Sequence, residues 1–402
     1  MIADNAADSR RPFLASHPWI TFKLDVSKMG WRFWEQLGEA RSKCRHLANT
    51  PLPPLVGQAL SALYLAKGAR ATTAIEGNTL SELQALEAVR GQLKLPLGQE
   101  YLGREIENIL AACGAIERSV YVEGDRFLIT PELLKDLNRQ VLHGLDVDDY
   151  VVPGEFRRRP VAVGGVYLGA PHDDCEFLVA QLSAWLNEPD FWDAGDAVNG
   201  FVRAVLRAAL AHVYIAWIHP FGDGNGRTAR LIEFGILTAA GIPSVSAHLL
   251  SNHYNATRSA YYRQLDYASK SGGRLDRFLA YAVEGFVGEL QQQLEQVHTW
   301  NFQAAWTNYV HETSDPATTV TARRQRRVVL ALPAAESVPI SSIPTLTTEL
   351  ARDYAGKGRK TVSRDINALL QRGLIVRSGS EVRARREVML GFLPNLPHET
   401  VI

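Results

Sequence analysis

The stretch Ile218-His-Pro-Phe-Gly-Asp-Gly-Asn-Gly-Arg-Thr-Ala-Arg230 concentrates residue types suited to handling a phosphate ester. Gly222, Gly224 and Gly226 let backbone N–H groups turn inward and approach a ligand, and a helical pattern, RTARLIEFGILTAAG, starts at Arg227. A helix N-terminus carries about half a positive charge, so loop and helix together form an anion site. Arg227 and Arg230 add full charges whose forked donors suit phosphate oxygens. Asp223 is a hard oxygen ligand of the kind Mg2+ takes when bound to a nucleotide. His219 is a base beside them, with an ordinary pKa of about 6.5. Together they point to phosphoryl or nucleotidyl transfer. Singly, each has a plainer reading: tight turns for the glycines, a helix end for His219, a turn former for Asp223, a solvated helix face for Arg230. It is the joint spacing that argues for chemistry. No Lys-Ser/Thr pair follows the loop, as a P-loop requires, and no strand precedes it, as a dinucleotide fingerprint requires.

The elements that must position this loop are mostly helical. Phe201 to Ile218 is the most apolar helical run, but Arg203, Arg207 and His212 in mid-span make it a core helix rather than a membrane span. Residues 55–75 have small and apolar residues at helical spacing, and Thr79 with Glu82 has the spacing of a capping box for the next helix. Glu76-Gly77-Asn78 is then a tight corner. Thr130-Pro131 is a strong helix start. One hairpin is expected, Arg159–Val163 and Val166–Leu168 about the two-residue turn Gly164-Gly165. Residues 1–54 read as an irregular arm packing on the next domain.

After about residue 310 a linker-like stretch, HETSDPATT, precedes three short helical patterns and two strands about Gly379. In the third helix Thr361 is a candidate N-cap, and Val362, Ile366, Leu369 and Leu370 form one apolar stripe opposite Lys360, Ser363, Arg364 and Asn367. That order is the pattern of a winged helix-turn-helix, though small protein-binding modules share it. From Thr321 onward 14 Lys and Arg face 7 Asp and Glu, although the whole chain balances at 43 and 43. The basic tail therefore suits an acidic partner. Hydrophobic content of 46% and charged content of 21% exclude a disordered or fibrous chain. Cys44, Cys113 and Cys175 are odd in number and lack any C-x-x-C pair, which argues against a disulfide framework or zinc site. The polar start MIADNAADSRRP shows no signal peptide, so a cytoplasmic location without membrane attachment is expected.

The 219–230 segment resembles the signature of Fic-domain proteins, His-x-Phe-x-Asp/Glu-Gly-Asn-Gly-Arg-x-x-Arg, at every fixed position. The resemblance extends more loosely over about residues 60–290, through Pro153-Gly-Glu-Phe-Arg157, Ala211-His212 and Tyr261-Tyr262. It implies a mainly α fold, a Fic-type helical domain over 55–310 with a β-hairpin flap; the winged-helix-like domain expected over 320–395 rests on the residue pattern above. It also implies transfer of AMP from ATP to a Ser, Thr or Tyr hydroxyl of a target protein. His219 would then be the catalytic base and Asp223 the Mg2+ ligand. Phe221, Gly222, Gly224, Asn225, Gly226, Arg227 and Arg230 would contact the nucleotide, with Tyr254 and Asn255 as candidates for the adenine pocket. The hairpin over 159–168 would align the target segment by strand addition. Thr72-Thr-Ala-Ile-Glu76-Gly77 is similar to the family's inhibitory motif, so helix 55–78 would be inhibitory and Glu76 would compete for Arg230 with the γ-phosphate.

Two other functions share these residues. The same site could remove AMP hydrolytically, with Glu76 orienting water. Alternatively, the Fic-like domain could be the sensor of a regulator whose tail binds DNA, or the tail could recruit a protein. The sequence leaves homo-oligomer formation open.

Overall fold

The computed structural model describes residues 11–164, 167–188, 197–314, 319–333 and 336–390. Helices dominate them, and the chain divides into two units, Met1–Leu294 and Glu295–Ile402.

The first unit opens with α1 (Trp31–Asn49), α2 (Pro54–Ala74), α3 (Glu82–Val89), α4 (Glu100–Tyr121), α5 (Pro131–Val141) and α6 (Cys175–Asn187), with β1 (Ala162–Val163) and β2 (Tyr167–Leu168) between α5 and α6. Its centre is made by α7 (Ala197–Ile218) and α8 (Asn225–Ala239), which pack along each other. After them come α9 (Leu249–Ala256), α10 (Arg258–Lys270) and α11 (Asp276–Thr313). Gly200–Ile218 is long and apolar enough to cross a membrane by length and composition, but 78% of that window is buried inside the protein. Its apolar side chains are used by the core.

Several expectations need correction. Residues 31–49 are a helix, not an irregular arm: Phe33, Leu37, Ala40 and Cys44 form a stripe at i, i+4, i+7 and i+11 in the same core as α4 and α7. The cap of α3 is Ser81 with Gln84, two residues beyond the Thr79–Glu82 box. Leu80 is buried and its N–H bonds the Asn78 side chain, so the corner runs two residues further before the helix can start. Thr130 caps α5 as expected, accepting from Leu133 N at 3.0 Å. In the hairpin Val163 pairs with Tyr167, which leaves three residues between them instead of two. Gly165 of the expected turn and Val166 of the expected second strand lie outside the described residues.

The second unit takes the C-terminal part of α11, then α12 (Val320–Ala331), β3 (Val338–Pro339), α13 (Thr348–Tyr354), α14 (Arg359–Gln371), β4 (Ile375–Ser378) and β5 (Glu381–Ala384). The three strands form an antiparallel sheet in the order β3-β5-β4. Trp306 and Val310 belong to this unit's core, with Val328, Ile366 and Leu369. The boundary therefore falls near residue 294 rather than at 310. The N-cap of α14 is Gly358, not Thr361, and Val362, Ile366 and Leu369 face inward as their spacing requires. Residues 315–318 of the expected linker and 391–395 of the expected second domain lie outside the described residues.

Candidate active site

Helix α7 ends because Pro220 follows His219, and a residue before proline is pushed out of the helical region. His219 takes φ +51°, a left-handed conformation that costs a side-chain-bearing residue about 1–3 kcal/mol. Arg157, buried just before the hairpin, holds it there. Its Nε donates to His219 O at 2.7 Å, its backbone N to Pro220 O at 2.9 Å, and its Nη2 to Ala170 O. Gly169 closes the other side, where a Cβ would overlap both His219 and Arg157.

The loop is then tied from within. Asn225 Oδ1 accepts from Phe221 N and its Nδ2 donates to Phe221 O, both at 2.9 Å. The Asn225 side chain thus staples the loop, leaving only its backbone amide for a ligand. Gly224 takes φ +76°, and a Cβ there would meet Asn138 and Val141. Gly222 lies equally close to Val151. Asn138, fully buried on α5, donates to Asp223 O at 2.9 Å and accepts from Gly154 N at 3.0 Å. Helix α8 begins at Asn225, two residues before the expected start, so the amides of Asn225, Gly226 and Arg227 have no intrahelical acceptor.

Two arginines face this helix start. Arg227 Nη1 pairs with Glu105 Oε1 at 2.8 Å and its Nη2 with Asp223 Oδ2 at 3.1 Å. The Arg230 side chain is wholly buried. Its Nη2 donates to Thr72 O at 2.8 Å and to Glu76 Oε1 at 2.5 Å, while Nε and Nη1 have no partner. Glu76 lies at the end of α2 and its Oε1 would overlap a Cβ at Gly226, so a side chain at 226 would push the carboxylate aside. Burial pushes the Glu76 carboxyl up, but Arg230, by charge and hydrogen bond, with Arg227 and His219, outweighs that and holds it below the ordinary range. The corner is anchored by Asn78, whose Nδ2 donates to Leu102 O at 2.9 Å and Glu105 Oε2 at 2.8 Å. Burial, then the Arg157 charge, lowers the pKa of His219 to about 4 against the opposing pull of Glu76 and Asp223. The imidazole is therefore neutral near pH 7, the form that accepts a proton.

The structure brings His219, Phe221, Gly222, Asp223, Gly224, Asn225, Gly226, Arg227, Arg230 and Glu76 together. Tyr254 is not a pocket wall: it is fully buried, donates to Glu233 Oε1 at 3.0 Å and stacks on Tyr261. Asn255 beside it is half-buried. Among the described residues no group of three His, Cys, Asp or Glu side chains is placed to hold a metal. A nucleotide-bound Mg2+ takes most of its ligands from phosphate and water. One half-exposed carboxylate at the loop mouth, Asp223, fits that donor set. Glu105, Asn138 and Arg157 escaped the sequence reading. Each acts by tertiary contact; only Arg157, inside the Pro153–Arg157 segment, carried a local signal.

Residues 128–237 match the Fic/DOC family. Over 212 residues the chain is 33% identical to the protein adenylyltransferase Fic of Culex quinquefasciatus, covering 52% of this chain and 38% of that one. The Aedes aegypti protein of the same name is 31% identical over 211 residues, with the same coverage. The chain thus spans less than two fifths of the length of these relatives. A Fic family protein from Desulfovibrio desulfuricans G20 superposes with a TM-score of 0.53 at 19% identity, covering 88% of this chain and 94% of that one. Part of Fic-1 from C. elegans gives 0.52 at 23% identity, covering 66% and 73%. At such identities the two structures speak for the fold. Stapled loop, helix start and paired arginines all lie inside the matched segment, and residues 128–237 of this chain are a domain of the Fic/DOC family.

Proposed function

We propose that the chain is a protein adenylyltransferase that moves AMP from ATP to a Ser, Thr or Tyr hydroxyl of a target protein, and that Glu76 restrains it. The observation that carries the reading is Arg230: a buried guanidinium with two unpartnered nitrogens beside Gly226 and the free amides of α8. Such a group calls for an anion richer than one carboxylate. Relatives named for this activity supply its direction.

In this reading the first amides of α8 cradle the α- and β-phosphates, Arg227 meets the β-phosphate and Arg230 the γ-phosphate. Neutral His219 takes the proton of the target hydroxyl. The hydroxyl oxygen bonds to the α-phosphorus, the bond from that phosphorus to the bridging oxygen breaks, and pyrophosphate leaves. Asp223 is the residue that would hold Mg2+, which when bound neutralises phosphate charge. The hairpin of β1 and β2, with Leu168 exposed, offers an edge on which a target segment aligns. Glu76 opposes all this by occupying Arg230 and placing its own charge where the γ-phosphate must sit.

Intact-mass measurement after incubation with Mg-ATP tests the reading. Glu76→Gly is expected to gain AMP adducts that the wild type gains slowly or not at all; a phosphate adduct, or none, would sink it. A second reading is favoured by the partial exposure of the Glu76 side chain, 36%, which lets the carboxylate meet water. The same site would then remove AMP from a modified protein, and release of free AMP from such a substrate separates the two.

A further inference from the structure

We propose that the second unit binds duplex DNA, with α14 lying in the major groove and the β4–β5 hairpin against the adjacent backbone. This is independent of the AMP-transfer reading, and either can fail alone.

The inward side of α14 is fixed by an unusual knot. Buried Asp365 accepts from Arg324 Nε at 2.7 Å and Nη2 at 3.2 Å, from Gln325 Nε2 at 3.0 Å and from Tyr354 OH at 2.9 Å. With Val362, Ile366 and Leu369 in the core, this leaves α14 no rotational freedom. The outward side is therefore equally determined. Lys360, Ser363, Arg364, Asn367 and Gln371 fall at i, i+3, i+4, i+7 and i+11, all exposed on one line.

The charge on that line is not neutralised by the protein itself. The first turn of α14 has Arg359 and Lys360, follows Lys357, contains no acidic residue and has Gly358 as an N-cap that contributes no side chain. Cations at a helix N-terminus oppose the helix dipole, so the arrangement is unfavourable until an anion arrives. Elsewhere in the same unit three arginines are paired with carboxylates: Arg324 with Asp365, Arg327 with Asp353, Arg383 with Glu387. Among the described residues no carboxylate pairs with Lys357, Arg359, Lys360 or Arg364. The face continues past Ser363 and Asn367 into a depression that Ser341, Arg377 and Ser380 also line, so the hairpin extends the same surface.

Cations alone would suit any polyanion, but the other side chains narrow the choice. Arginine is matched to the O6 and N7 edge of guanine, and Asn or Gln to N6 and N7 of adenine. Arg364, Asn367 and Gln371 supply both types on one side of the helix. A helix of 13 residues is about 20 Å long and fits the B-form major groove, about 12 Å wide. The deep, narrow groove of A-form RNA does not admit it.

The test uses the full chain and fluorescence anisotropy with a mixed-sequence DNA duplex, the same sequence as an RNA duplex, and polyglutamate. Tightest binding to the DNA duplex is expected, with log K falling linearly against log salt by about 0.9 per phosphate contact. The double variant Lys357→Ala, Lys360→Ala should reduce that slope by about two with no loss of Tm, since no carboxylate among the described residues pairs with either side chain. Absence of DNA binding at about 50 mM salt, where phosphate contacts are strong, overturns the proposal. So does equal binding to RNA or polyglutamate, which would make the face a general anion or acidic-protein surface, or a variant that binds like the wild type.

Discussion

Glu76 and Arg230 hold each other at 2.5 Å, and in the proposed function the strength of that pair sets how much AMP transfer is withheld. The carboxyl stays ionised because Arg230, with Arg227, outweighs its burial, so ordinary changes of pH do not release it. Substitution should. Glu76→Gly is expected to raise AMP transfer about tenfold or more, the factor that ~1.4 kcal/mol of relieved competition represents, read as auto-modification with labelled ATP. Unchanged transfer would remove Glu76 from the regulatory role. His219 makes a separate prediction. Its left-handed backbone is a conformation that asparagine also tolerates, so His219→Asn preserves the turn while removing the base. Transfer should fall about 10²–10⁴-fold with nucleotide affinity nearly unchanged. Because burial and Arg157 lower the imidazole pKa to about 4, and removing Glu76 takes away a charge that pulls it up, kcat/KM of Glu76→Gly should fall on its acid side at or below that pH and not at 6.5. A limb near 6.5 would show that another group is the base.

At the scale of elements, the base of the hairpin and the end of α7 are one assembly joined by Arg157. Its guanidinium and backbone satisfy the carbonyls of His219, Pro220 and Ala170. Arg157→Lys keeps the charge but cannot reproduce the fork. Each buried carbonyl left unpaired costs about 1–3 kcal/mol, so Tm should drop, and kcat should fall more than nucleotide affinity because His219 is the group that moves. Equal kcat in the variant would make Arg157 purely structural. The element boundaries show what local patterns can and cannot convey. Thr130-Pro131 was legible because cap and proline act within one turn. The cap at Ser81 was not, because Thr79 and Glu82 have the same spacing and only the burial of Leu80 decides between them. Trp31–Asn49 was legible in principle: its apolar stripe is regular, but the many polar residues between its members hide it.

For the whole molecule, imidazoles whose pKa is lowered by burial make stability depend on acid. His219 and His248, the latter enclosed against Phe234 and Gly68, each have a pKa lowered to about 4, chiefly by burial. Both are neutral in the folded state and protonate near 6.5 when unfolded, so unfolding takes up protons between these values. Stability should therefore be lost as pH falls from 6.5 towards 4, by up to about 1.4 kcal/mol per pH unit for each histidine. Urea midpoints across that range check it, and His248→Gln should flatten the slope by its own share only, since burial lowers the pKa of His17 and His253 as well. An unchanged slope would show that the carboxylates dominate instead. Charge is also partitioned at this scale, the balanced total of 43 and 43 concealing the basic tail. By themselves the residues of this chain determined the anion loop, since glycines, arginines, acid and base lie within little more than three helical turns and their chemistry is local. Only the tertiary structure decided what surrounds it. Glu76 meets Arg230 across 154 positions, and Glu105, Asn138 and Arg157 arrive from other segments, because packing α2, α4, α5 and the hairpin on α8 sets contacts that no short-range periodicity encodes.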